Sequence, residues 1–126
     1  MIRFLLVGSG GFVGSVARFW LSGFVQDRTP GTFPLGTLAV NVVGCLVIGV
    51  LSELADARAF LSPDARACAV IGLLGGFTTF SAFGSETVNL LRDRDWALGA
   101  ANVIAHIVLA LGAVWVGRTV AHLTWR

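Results

Sequence analysis

Four stretches of this chain are each long and apolar enough to cross a lipid bilayer. They run from about Ile2 to Phe24, Leu35 to Leu54, Ala65 to Leu91 and Asp95 to Leu123. A spanning helix needs about 20 mostly apolar residues. In hydrocarbon every backbone N–H and C=O must find a partner within the protein, so only helices and closed barrels span. Composition agrees with this reading. Of 126 residues, 56% are apolar and 13% charged, against roughly 25% charged in a soluble domain. The expected architecture is an all-α membrane protein of four transmembrane helices, one domain over residues 1–126. The start of the chain, Met1 and Arg3 before an apolar run, also has the look of a secretory signal peptide. Removing that segment would still leave a membrane protein.

The connections hold the polar residues: Gln26 to Pro30, Glu53 to Arg66 with Pro63, and Arg92 to Asp95. Trp20, Trp96 and Trp125 fall near span ends, where interfacial anchors belong, while Trp115 lies inside the fourth span. The nine basic residues are all Arg. With four spans, Arg3, Arg58, Arg66, Arg118 and Arg126 share one side, and Arg18, Arg28, Arg92 and Arg94 share the other. An excess of basic residues on the cytoplasmic side normally fixes orientation. Five against four is almost no bias, and it suggests that the chain inserts both ways. Two oppositely inserted copies would form an antiparallel dimer about an axis in the membrane plane, the inverted-repeat plan of transporters made from two chains. A net charge of +2 gives no basic face for nucleic acid.

One run inside the third span departs from the rest: Gly75-Gly76-Phe77-Thr78-Thr79-Phe80-Ser81-Ala82-Phe83. Gly-Gly followed by Thr-Thr is poor helix material, so the third helix is expected to break mid-membrane. Such breaks are tolerated where protein or a cavity receives the freed backbone groups, and they are where transporters bind ions. At helical spacing Phe77, Phe80 and Phe83 would share one face. That face is either a packing stripe or a row of electropositive ring edges suited to a small anion that must enter and leave. Glu86 ends the segment. Freed carbonyls at Gly75 and Thr78, with no carboxylate beside them, suit a monovalent cation better than Ca²⁺ or Mg²⁺.

Other polar residues sit at membrane depth. Asn41 is costly there unless bonded, so it makes an interhelical hydrogen bond, donates to an anion, or does both. Arg18 follows a Gly10-xxx-Gly14 packing signal; it either snorkels to the interface or gives a vestibule positive potential. Asn102 and His106 are four apart and share a face of the fourth span. No metal-ligand spacing surrounds His106, and no nucleophile–base pair marks an enzyme. Cys45 and Cys68 read as small hydrophobes.

Three stretches together resemble the Fluc (CrcB) fluoride channels over nearly the whole chain: Gly10-Gly11-x-x-Gly14 leading to Arg18; Gly36-Thr37-Leu38-x-Val40-Asn41; and Gly75 to Phe83 with Glu86 beyond. The resemblance implies a dual-topology homodimer in the bacterial inner membrane, with two antiparallel pores that passively export fluoride. It implies that Phe80 and Phe83 line each pore with their ring edges and that Asn41 donates its amide to fluoride. Ser81, Glu86 and Thr37 would lie along the polar route, with His106 on the fourth span and Arg18 near a vestibule. Gly75 and Thr78 would offer backbone carbonyls to a structural Na⁺ at the dimer centre, and no organic cofactor is implied. Partners would be a second copy, fluoride and membrane lipids. The chain departs from the pattern where the resemblance implies hydroxyls: Ala82, Gly84, Ala110 and Val114 carry none. A small multidrug transporter, also four-span and dual-topology, would need a carboxylate in the first span, and that span has none.

Overall fold

A computed structural model describes residues 1–58 and 61–125, except for the side chains of residues 57 and 58. The described residues form helices joined by turns and short non-helical segments, with no strand among them. Helix α1 spans Ile2–Gln26 and α2 spans Leu35–Arg58. The third crossing runs Pro63–Arg92 in pieces: α3 (Pro63–Arg66), a π-helical stretch (Ala67–Leu74), α4 (Gly75–Phe77) and α5 (Phe80–Arg92). The fourth runs Trp96–Thr124 as α6 (Trp96–Ala105), a second π-helical stretch (His106–Ala110) and α7 (Leu111–Thr124). All four crossings are long and apolar enough to span a membrane. Large apolar side chains such as Phe4, Phe12 and Trp115 face outward, as lipid-facing residues do.

Glycine sets the packing distances. The most extensive contacts are α1 against the third crossing and α2 against α7. A Cβ on Gly14 would fall on the Leu73 carbonyl oxygen, and one on Gly10 on that of Cys68. Between α2 and α7 the same holds for Gly49 against Val114 and for Gly117 against Leu46. Without a hydrophobic drive between helices in lipid, such close backbone approach is what lets van der Waals contact hold a bundle together.

Two ends of the bundle are tied by polar residues. Gln26 accepts from the Gly36 backbone N–H at 3.1 Å and donates to the Phe33 carbonyl at 3.2 Å, which closes the first connection. At the other end Arg3 pairs with Asp64 at 3.0 Å, and Arg118 reaches Asp56 at 2.7 Å and Glu53 at 3.3 Å. His122 meets Glu53 at 2.9 Å. These pairs gather the chain start, the end of α2, the start of the third crossing and the end of α7, as four crossings require. Of the arginines used for the charge count, the Arg58 side chain and Arg126 lie outside the described residues.

Helix α2 continues to Arg58, past the expected end near Leu54. Glu53 and Asp56 therefore belong to its last turns rather than to a loop. No Gly or Pro intervenes before Pro63, and Arg118 offsets their charge. The expectation that Phe77, Phe80 and Phe83 share one face needs correction. Thr78 (φ −81°, ψ 154°) and Thr79 (φ −150°, ψ 113°) are extended and reset the helical phase. Phe77 is buried, whereas Phe80 is 82% exposed. The stripe is a pair, Phe80 and Phe83, with ring centroids 5.3 Å apart.

Candidate functional site

The site is built around the two extended residues. Thr79 caps α5: its hydroxyl accepts from the Ala82 N–H at 3.2 Å. Asn41, on the facing wall of α2, closes a two-way clamp on the same residue. Its Nδ2 donates to the Thr79 carbonyl at 3.0 Å, and its Oδ1 accepts from the Thr79 N–H at 2.9 Å. A buried amide paired on both faces satisfies backbone groups that hydrocarbon would leave stranded. The second hydrogen on Nδ2 is used by neither bond.

This clamp changes the bonding of two carbonyls. In an unbroken helix, the Thr79 N–H would bond to the Gly75 carbonyl and the Ala82 N–H to that of Thr78. Both donors are diverted, one to Asn41 and one to the Thr79 hydroxyl. Thr78 keeps the helical bond of its N–H to the Leu74 carbonyl and adds its hydroxyl to the same oxygen, each at 2.9 Å. Gly75 lies at the surface of the single chain.

Two cavities meet at the break. The larger, about 680 Å³, is lined by Ser15, Arg18, Ser22, Thr37, Thr79, Ser81 and Glu86, with Phe19, Gly23, Val40 and Ala82. Within it the Thr37 hydroxyl donates to Glu86 Oε1 at 2.6 Å, while Glu86 Oε2 has no hydrogen-bond partner among the described residues. Ser81 and Thr79 exchange a hydrogen bond at 3.2 Å. Arg18 is half-buried and has no ion-pair or hydrogen-bond partner among the described residues. A cation held at the wall of a cavity raises the local concentration of anions.

The smaller cavity, about 320 Å³, is lined by Asn41, Cys45, Thr78, Thr79, Phe80, Phe83 and His106, closed by Ile107, Ala110 and Leu111. Thr79 is common to both. Phe83 packs on the His106 ring with centroids 4.4 Å apart. Behind this wall runs a hydrogen-bond chain. Asn102, fully buried, donates from Nδ2 to the Thr87 hydroxyl at 2.9 Å, and that hydroxyl donates to the Phe83 carbonyl at 2.7 Å. His106 Nδ1 lies 3.0 Å from the Asn102 carbonyl. Asn102 Oδ1 and His106 Nε2 are buried with no partner among the described residues.

The structure thus divides the sequence-derived residues into two groups. Arg18, Thr37, Ser81 and Glu86 line one cavity; Asn41, Phe80, Phe83, His106 and Thr78 line the other; Gly75 lies one turn before the break. Sequence reasoning missed Ser15 and Ser22, which line the first cavity, and Thr87, which ties α5 to α6. Ser15 and Ser22 are seven apart on α1 with Arg18 between, a helical spacing that would have found them.

Fold and site define a class: a multi-pass helical membrane protein in which a charged, hydroxyl-lined cavity and an aromatic one adjoin at a helix interruption. Comparison with known proteins narrows this. The family described as "CrcB-like protein, Camphor Resistance (CrcB)" matches residues 5–118. A protein of Methylobacillus flagellatus named "Fluoride-specific ion channel FluC" is 47% identical over 98% of both chains. Proteins of the same name from Opitutus terrae (46%, covering 96% of this chain and 93% of theirs) and Sorangium cellulosum (42%, 96% and 95%) are similar over the same extent. This chain belongs to the CrcB (Fluc) family. Its relatives are named as channels, which is a non-enzymatic function, in keeping with the expectation that no catalysis occurs here.

Proposed function

We propose that the chain is a fluoride channel that relieves fluoride toxicity by letting cytoplasmic fluoride leave a bacterial cell down its gradient. The observation that carries this reading is the aromatic cavity. Phe80, Phe83, Asn41 and His106 surround one small chamber in a chain whose full-length relatives are named fluoride-specific ion channels. Ring edges are electropositive. They hold a partly dehydrated anion without supplying a full charge that would trap it. Asn41 keeps one amide N–H for such an anion while its other hydrogen and its oxygen hold the break. Anions enter through the larger cavity, drawn by Arg18, and pass along Thr37, Ser81 and Glu86 to the break.

The working unit is an antiparallel homodimer with two pores in the inner membrane. The near-even arginine count supports insertion in both senses. The outward face of the break supports a second copy: Phe80 is 82% exposed in one chain, beside exposed Gly75 and Ser81. Packing two breaks across a two-fold axis at membrane depth covers that face. The Gly75 and Thr78 carbonyls, whose helical donors are diverted, fit a structural Na⁺ on the axis, two oxygens from each copy. Such an ion would neutralise carbonyl dipoles that hydrocarbon cannot solvate.

The test is fluoride efflux from liposomes carrying the purified protein, read with a fluoride electrode and compared with chloride. Fluoride release far above protein-free liposomes, with negligible chloride leak, is expected. Equal chloride and fluoride release, or none from a folded protein, would reject the reading.

A further inference from the structure

Three rungs join the fourth crossing to α5 behind the aromatic chamber. Farthest from it, a glycine lets the helices approach: a Cβ on Gly99 would stand 2.7 Å from Leu91 Cδ2. One turn on, Asn102 Nδ2 donates to the Thr87 hydroxyl at 2.9 Å. One turn further, the His106 ring stacks on Phe83 with centroids 4.4 Å apart. Leu91, Thr87 and Phe83 recur every fourth residue of α5, while Gly99, Asn102 and His106 lie three and four apart on the antiparallel helix. The rungs therefore fall on successive turns of two facing helices. Phe83 and His106 line the chamber, whereas Thr87 and Asn102 do not. Both members of the middle rung are buried.

The middle rung is built in one sense. A hydroxyl has a single hydrogen, and that of Thr87 goes to the Phe83 carbonyl at 2.7 Å. Asn102 must therefore present its NH₂. The contacts close a circuit. It runs from the Phe83 backbone through Thr87 to the Asn102 side chain. The Asn102 main-chain carbonyl then accepts the His106 backbone N–H and lies 3.0 Å from its Nδ1. The His106 ring returns to the ring of Phe83. On the other side of Phe83 stands Phe80, which is itself exposed in the single chain and gives no comparable support. Within one chain the orientation of the Phe83 ring depends on His106, and the place of His106 against α5 depends on the middle rung.

A chamber whose rings can shift will open for a larger ion. Discrimination by size requires rings held in place by packing and by hydrogen bonds behind them. We propose that Thr87 and Asn102 are positioning residues for halide discrimination. Their hydrogen bond fixes α5 against the fourth crossing, holds Phe83 in one orientation and so keeps chloride out. The inference rests on the fluoride-channel reading above, and it gives two residues that touch no ion a role beyond helix packing.

Fluoride and chloride efflux from liposomes, measured on the same cross-linked and sized preparations, tests this. Thr87→Val keeps the shape of the side chain and removes the hydroxyl. Its chloride efflux should rise about ten-fold over wild type, with fluoride efflux retained and the dimer intact. Thr87→Ser keeps the hydroxyl and should hold chloride at the wild-type level. Asn102→Leu removes the donor but not the main-chain carbonyl that meets His106, and it should leak chloride as Thr87→Val does. The two together should leak no more than either alone, because each deletes the same bond. The double variant leaves no amide unpaired, so it carries the test if a single variant does not assemble. An assembled Thr87→Val or double variant whose chloride efflux stays at the wild-type level would overturn the inference and make the bond a packing contact. An equal rise in Thr87→Ser would overturn it too, by assigning the effect to shape. Wild-type protein that releases no fluoride, or releases chloride as fast, would remove the channel reading and the inference with it.

Discussion

The two cavities share Thr79 and otherwise have no wall in common. The larger cavity, about 680 Å³, has hydroxyls, one arginine and one carboxylate as its polar members, beside Phe19, Gly23, Val40 and Ala82. The chamber beyond the break is about 320 Å³ and mostly aromatic and aliphatic, with Asn41, Thr78, Thr79 and His106 as its polar members. On the channel reading, the difference separates two tasks. Attraction needs charge and water, and a wide mouth keeps both; discrimination needs the anion to shed water against weak, fixed ligands, and rings do that without trapping it. The extended residues Thr78 and Thr79 lie between the two cavities, and Thr79 lines both.

Substitutions on the two sides should therefore differ in kind. The largest effect is expected at the partition. Asn41→Asp keeps the size of the side chain but puts a carboxylate at the chamber wall and removes the donor to the Thr79 carbonyl. Fluoride efflux should fall to the protein-free level; undiminished efflux would remove Asn41 from the pathway. Next is the ion that the account assigns to the diverted carbonyls. Exchanging Na⁺ for a large organic cation during purification should lower efflux and weaken the dimer by cross-linking, whereas insensitivity to Na⁺ would count against the site at Gly75 and Thr78. Loss of the helix cap, by Thr79→Val, should destabilise the fold by about 1 kcal/mol in a denaturation titration, since the Ala82 N–H loses its acceptor. A change within error would mean that the clamp from Asn41 alone holds the break. The smallest effect belongs to the vestibule. Arg18→Gln should slow efflux a few-fold at low ionic strength and hardly at all at high salt, because steering by an accessible charge is screened. A salt-independent loss would instead make Arg18 a direct ligand.

The sequence carried the crossings well, because length and hydropathy decide them: a run of about 20 apolar residues spans hydrocarbon as a helix, whereas a barrel strand is half that length and alternates. Within them it was less complete. Gly-Gly-Thr-Thr pointed to an interruption of the helical pattern, but not to which residues would leave the helix. That depended on Asn41, thirty-eight residues away, as the partner of both Thr79 backbone groups. The Phe77–Phe80–Phe83 spacing misled for the same reason, since a helical period holds only while the helix does. The π-helical stretches at Ala67–Leu74 and His106–Ala110 left no mark, as these runs look like ordinary apolar helix. Asn102 and His106 were legible as neighbours on one face; that Thr87 joins them depends on how α5 packs on α6, which no local pattern encodes. The contacts of Arg118 and His122 with Glu53 and Asp56 were likewise out of reach, because they join residues more than sixty apart.

On the channel reading, fluoride passes the ring edges of Phe80 and Phe83 in the chamber. The direct measurement is fluoride efflux from liposomes with Phe83→Ile, with the oligomeric state of the same preparation determined by cross-linking. An intact dimer with efflux reduced to near the protein-free rate is the predicted result. An intact dimer with wild-type efflux would contradict the account, because the anion would then be crossing without the rings.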